Sequence, residues 1–180
     1  GANTYTGATT ITEGTLKVTG SLSDSTVVNV SSGAIYDVDQ TDTIGSIAGA
    51  GSIEIAGGKT LSAGELDTDT EVSGVISGGG GFKKTGTGTT TLLNSNIYKG
   101  KTTIVGGTLL LSDEGSLSKS SAVAVLAGAN LKVKDNASLN NSVAVSIEKN
   151  AQYFADSDDV IGSVKGEGKI KLFNSGKTLS

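Results

Sequence analysis

The sequence predicts an all-β chain wound as a parallel β-helix, a solenoid of about eight coils of about 22 residues. Three observations lead there: segments recur along the chain, short β-branched runs alternate apolar and polar positions, and glycine clusters punctuate those runs. Two recurrences are long. ANTYTGATTITEGTLKV (Ala2 to Val18) lines up with SNIYKGKTTIVGGTLLL (Ser95 to Leu111), pairing Tyr5 with Tyr98, Gly7 with Gly100 and Ile11 with Ile104 at a constant offset of 93. TDTIGSIAGAGSIEIAGGKTLS from Thr41 matches DDVIGSVKGEGKIKLFNSGKTLS from Asp158, with Ile44 on Ile161 at an offset of 117. The growth in offset implies one extra unit between the two matches. SLSKSSAVAV from Ser116 and SLNNSVAVSI from Ser138 supply it, with Leu117 and Leu139 in register.

Such a step is too short for a sandwich repeat and suits one solenoid coil. Strands fall at Val75-Ile76, Thr89 to Leu93, Thr102 to Val105 and Thr108 to Leu111, between glycines at Gly78 to Gly81, Gly86 to Gly88, Gly100 and Gly106-Gly107. Alternation marks others: Val28 and Val30 around Asn29, Ile53 and Ile55 around Glu54, Leu131 and Val133 around Lys132, Val143, Val145 and Ile147, and Ile170 and Leu172 around Lys171. These strands bury one face. Stacked at roughly 4.8 Å per coil, they make a rod near 40 Å long. No apolar period of 3.6 competes. Glycine is expected at sharp turns with positive φ, and Gly7 and Gly100 are read as two of these.

Composition fits one narrow core. Hydrophobic residues are 36% and aromatics 4%, so Val, Ile and Leu ladders must fill the interior. The chain has no Cys, His, Met, Trp or Pro, and all fourteen basic residues are lysine. No linker divides residues 1–180, which read as a single β-helix segment. With a net charge of −4, nucleic acid is not expected as a partner. Charge is uneven: Asp37 to Glu71 holds eight acidic residues and only Lys59, whereas Lys165 to Lys177 holds four lysines and only Glu167. A solvated face or a docking patch accounts for either band. No targeting, transmembrane or lipidation pattern is present. The chain begins and ends inside its own repeat, as a segment cut from a longer solenoid would, and its open strand edges are expected to associate end to end.

The series SGVISGGGGFKKTGTGTTTLL followed by SNIYKGKTTIVGGTLLL resembles the autotransporter-associated β-strand repeat, also called the passenger-associated transport repeat, of type V secreted proteins of Gram-negative bacteria. Ser73, Gly74, Ile76, Gly78 and Gly80 fit its first part. Lys84, Gly86, Gly88 and Leu92 fit the second, and Asn96, Tyr98, Gly100, Thr102 or Thr103, Ile104, Gly107 and Leu109 the third. Phe82 and Thr90 stand where the repeat usually has leucine. The resemblance implies a right-handed β-helix passenger, exported by an outer-membrane β-barrel of the same precursor and found at the cell surface or released. It associates the repeat with secretion and folding, not catalysis.

A search for chemistry gives no catalytic, cofactor or metal assignment. Without His there is no Ser-His-Asp constellation or imidazole metal site, and no phosphate-binding glycine loop is present. Asp67, Asp69 and Glu71 alternate along what reads as an extended run, which would put three carboxylates on one face to hold Ca²⁺ or form an acid–base pair; a solvated outer face is the other reading. Asp156, Asp158 and Asp159 read as a turn cluster. Tyr5, Tyr36, Tyr98 and Tyr153 form two repeat-matched pairs, for packing or for sugar stacking. Three functions stay open: a surface stalk; a module binding matrix protein, glycan or like rods on host or neighbouring cells; and a polysaccharide-cleaving enzyme, against which the missing Arg, His and aromatic cleft count.

Overall fold

The computed structural model describes residues 1–139, 142–156 and 159–172. All regular structure among them is strand, and every strand pairing is parallel. A first coil holds β1 (Thr9–Ile11) and β2 (Thr15–Val18). Three coils of three strands follow: β3 (Val27–Val30), β4 (Ile35–Val38) and β5 (Asp42–Ile44); β6 (Ser46–Gly49), β7 (Ser52–Ile55) and β8 (Thr60–Ala63); β9 (Thr70–Val72), β10 (Ile76–Gly78) and β11 (Gly81–Lys84). Four coils of two strands come next: β12 (Thr89–Leu92) and β13 (Thr102–Ile104), β14 (Thr108–Leu111) and β15 (Ala122–Val125), β16 (Asn130–Val133) and β17 (Ala144–Ile147), β18 (Gln152–Ala155) and β19 (Ser163–Gly166). β20 (Lys169–Leu172) opens another turn. The expected solenoid of about eight turns is therefore present, with a spacing near 20 residues.

The strands stack into three faces: nine strands in the order β1-β3-β6-β9-β12-β14-β16-β18-β20, seven from β5 to β19, and four from β2 to β10. The four-stranded face gives way after β10. Its place is taken by Ser- and Asn-rich turns, joined coil to coil by the single bridges Ser95↔Ser116 and Ser116↔Ser138. The sequence explains the change, since SNIYKG and SDEGSLSKSS lack the β-branched runs that precede them and favour turns.

Register turns each inward position into a ladder. Ile11, Val30, Gly49, Val72, Leu92, Leu111, Val133 and Ala155 follow one another up the wide face, all but the glycine buried hydrophobics. Phe82, Tyr36, Tyr98 and Tyr153 are the bulkiest side chains in that core, each fully buried. Outward on the seven-stranded face run Thr43, Ser62, Lys83, Thr103, Ala124, Ser146 and Lys165, a ladder without a carboxylate. Outward on the four-stranded face run Lys17, Asp37, Glu54 and Ser77.

The repeats do not fall on the same face. β1 and β2 lie on the nine- and four-stranded faces, but their copies β13 and β14 lie on the seven- and nine-stranded ones. β6 and β7 are displaced in the same sense to β19 and β20. Both duplications are thus rotated back by one face, and the unit inserted between them is a whole coil.

A corner of constant geometry moves with them. Gly49, Gly78 and Gly166 each end a strand at φ +115, +98 and +119, and two residues later Gly51, Gly80 and Gly168 donate an N–H to Val30 O, Ile55 O and Ile147 O of the preceding coil, at 2.9, 2.9 and 3.0 Å. The three corners join three different pairs of faces. At a strand end, G-x-G is therefore a corner that serves any pair of faces.

Gly7 and Gly100 are not positive-φ turns. Gly100 is required for another reason: a Cβ there would overlap the Gly80 carbonyl on the coil beneath. A Cβ at Gly7 meets open space. Gly100→Val is expected to cost about 3 kcal/mol or more by overpacking backbone against backbone, while Gly7→Val and the exposed Thr87→Lys stay within about 0.5 kcal/mol. Urea unfolding of the three variants checks this, and equal midpoints for Gly7→Val and Gly100→Val would remove the close-approach argument.

Candidate functional site

The carboxylates singled out by alternation do not share a face. Only Glu71 lies in a strand; Asp67 sits in the preceding turn at φ +57, so the run is not extended there. Asp67 Oδ1 accepts the Thr87 N–H and Asp69 Oδ1 the Thr89 N–H of the next coil, both at 2.6 Å. These two exposed side chains therefore satisfy backbone donors at a corner. Among the described residues no three carboxylates converge to hold a metal ion. Of the Asp156, Asp158 and Asp159 cluster, Asp158 lies outside the described residues, and Asp159 is buried.

Beneath Asp67 and Asp69 lies Lys84, a cation with no exposed surface. Strand alternation sends Lys83 outward and Lys84 inward, into a ladder between Ala63 and Ile104. Small Ala63 leaves space for the stem, and the ammonium donates to Thr85 O and to Gly86 O, the latter at 3.2 Å. Burial lowers its pKa, while Asp67, Asp69 and Glu65 pull the other way. Lys84 thus closes a corner from inside, binding the buried Thr85 carbonyl and the half-buried Gly86 carbonyl.

Two aspartates act likewise. Asp42 takes the Leu22 N–H on Oδ2 and the Thr43 N–H on Oδ1, both at 3.0 Å. Asp159 Oδ1 takes the Leu139 N–H at 2.9 Å and the Val160 N–H at 3.0 Å. Each follows a buried tyrosine by six residues. Tyr153 donates its hydroxyl to Asp159; Tyr36 faces Asp42 outside hydrogen-bonding geometry. Asn96 captures the Ile76 N–H the same way, at 2.8 Å. Burial holds Asp42 above the usual carboxylate range, against the lowering effect of the Leu22 and Thr43 bonds. The recurrence Tyr-x5-Asp at the offset of 117 is the signal that could have found this pair in the sequence.

Tyr5 and Tyr98 share a second device, each bonded to the threonine four residues on: Tyr98 to Thr102 at 2.6 Å, Tyr5 to Thr9 at 2.9 Å. Tyr98 is buried and Tyr5 is 45% exposed, so packing accounts for three of the four tyrosines. The acidic band from Asp37 to Glu71 is divided among roles, for Lys17 pairs with Asp37 and Asp39 at 2.9 Å each, while Asp42 is internal. Of the lysine-rich band, Lys177 lies outside the described residues.

A groove of about 620 Å³ runs across coils three to six. Gly58, Gly79, Gly80, Gly81 and Gly100 form its floor, Lys59, Lys83 and Lys101 its walls, and Val105 and Leu126 one end.

A family model, the passenger-associated-transport-repeat, matches residues 1–18 and 82–111. These two segments match that repeat. The matched segments are the duplicated strand pairs β1-β2 and β13-β14, the second preceded by β11 and β12. No curated protein and no solved structure matches the chain. Within the repeat, the structure gives its glycines, Lys84 and Tyr98 packing roles: corner, carbonyl cap and core. The sequence resemblance to an autotransporter passenger repeat on a parallel β-solenoid therefore holds.

Lys84→Met is expected to lower stability by about 1–3 kcal/mol, the cost of leaving the buried Thr85 carbonyl unpaired, read as a lower thermal midpoint; an unchanged midpoint would dismiss the cap. For Asp42 the folded pKa is raised, so its contribution is full below the unfolded value near 3.8 and is lost as pH rises through the folded one. Relative to Asp42→Asn, the wild type should therefore lose stability from pH 4 toward pH 7. A constant difference between the two across that range would contradict the burial effect.

Proposed function

We propose that this chain is a rigid stalk segment of a type V secreted autotransporter passenger, adhesin-like, exported to the surface of a Gram-negative bacterium and supporting the secretion, folding and display of the passenger. The observation that carries this reading is the matched repeat embedded in one uninterrupted stack of coils.

The mechanism follows from the stacking. Each coil gives the next a row of backbone donors and acceptors and an apolar ladder, so order passes from coil to coil as the chain emerges. Unfolding one coil breaks two neighbouring interfaces, which makes the stack stiff. Portable corners serve this role, since any unit docks on any face. The reading assigns no reaction to the chain: Asp67 and Asp69, on which an acid–base pair would rest, each spend an oxygen on a backbone N–H.

Antibody against this chain should label intact cells expressing the full reading frame, and surface proteolysis should remove the label. Labelling only after permeabilisation would overturn the assignment. In-frame deletion of Ser112 to Val133 takes out one whole coil and should preserve display, whereas deletion of Ser112 to Ala122 breaks register and should abolish it.

A further inference from the structure

We propose that the glycine-floored groove on the seven-stranded face binds a linear acidic polysaccharide, one carrying carboxylate or sulfate groups along its length. The inference does not depend on the stalk reading.

Register builds the groove. The Gly81 N–H bonds Lys59 O at 2.8 Å and the Phe82 N–H bonds Lys101 O at 3.1 Å, which fixes Lys59 and Lys101 on the coils either side of β11. Their Cα atoms are two coil steps apart, roughly 10 Å. In register Gly80 lies opposite Lys59 and Gly81 opposite Lys101, so no side chain rises between the two lysines, and Lys83 stands two residues beyond Gly81 on the same coil. Three ammonium groups thus surround a trough whose floor is bare backbone. Among the described residues none of the three forms an ion pair; Lys59 donates only to the Gln40 amide, at 3.1 Å. No carboxylate lines the groove, although the chain as a whole is acidic.

The chemistry selects the ligand. Charges spread over two coil steps suit successive anionic groups along an extended polymer better than one phosphate, whose oxygens a single lysine pair would hold. Lysine is a compact charge on a flexible stem and imposes little geometry, in contrast to the bidentate fork of arginine, so recognition rests on charge spacing. Val105 and Leu126 close one end with an apolar surface, against which the C–H face of a sugar ring packs. An open, backbone-floored trough accepts a chain passing through it.

Binding of heparin and of alginate to the 180-residue chain, measured by calorimetry between low and physiological salt, tests the proposal, with dextran as the neutral control. Heparin or alginate is expected to bind and dextran not. Lys83→Gln and Lys101→Gln should each weaken binding several-fold and reduce the salt slope by roughly one, with thermal unfolding unchanged. Thr103→Glu, which adds a carboxylate inside the groove, should abolish binding, and Lys165→Gln on the same face but outside the groove should not alter it. Absence of binding to both polymers at low salt would overturn the proposal. So would equal losses from Lys165→Gln and Lys83→Gln, or equal affinity for duplex DNA, which would mark unspecific attraction to any polyanion.

Discussion

Everything in this protein depends on the hydrogen bonds between one coil and the next. A strand here has no partner within its own coil, so its N–H and C=O groups are satisfied only by the coils before and after it. That demand extends beyond the strands into the corners, where backbone must approach backbone. Glycine meets it at Gly100, over the Gly80 carbonyl, and in the G-x-G corners, where the second glycine donates to the carbonyl of the coil beneath. Where glycine does not suffice, side chains supply the missing partner.

Those side chains are polar residues of this fold with a defined task toward the backbone. Lys84 serves carbonyls; Asp42, Asp159 and Asn96 serve N–H groups; Asp67 and Asp69 do so from the surface. A buried ion is costly unless its hydrogen-bonding capacity is used, and each of these is placed where backbone groups use it. The price is visible in the direction of the Lys84 and Asp42 pKa shifts, both set first by burial. Residues that look like chemistry in the sequence are thus largely structural. Lys59, Lys83 and Lys101 differ because no structural partner claims their charge.

Much of the architecture was legible beforehand. Alternation around Asn29, Glu54 and Lys132 gave inward Val28, Val30, Ile53, Ile55, Leu131 and Val133, all buried. The whole inserted coil was legible from the growth in offset. Asp67 departs from the sequence expectation because alternation in sequence means a shared face only if the backbone is extended, and a left-handed residue breaks that condition. Gly7 and Gly100 are equivalent in the repeat, yet Gly100 has a coil beneath it and Gly7 meets open space.

The sequence by itself determined the repeating unit: strand, corner, ladder and spacing, since these follow from side-chain alternation and from glycine placement within about 20 residues. Tertiary structure alone decided which face each unit occupies. β1 and β13 share a sequence pattern and lie on different faces because all faces offer the same parallel edge to dock on, and the running sum of coil lengths chooses among them. The same sum sets Lys59 and Lys101 on either side of the Gly80-Gly81 pair. No local pattern contains it.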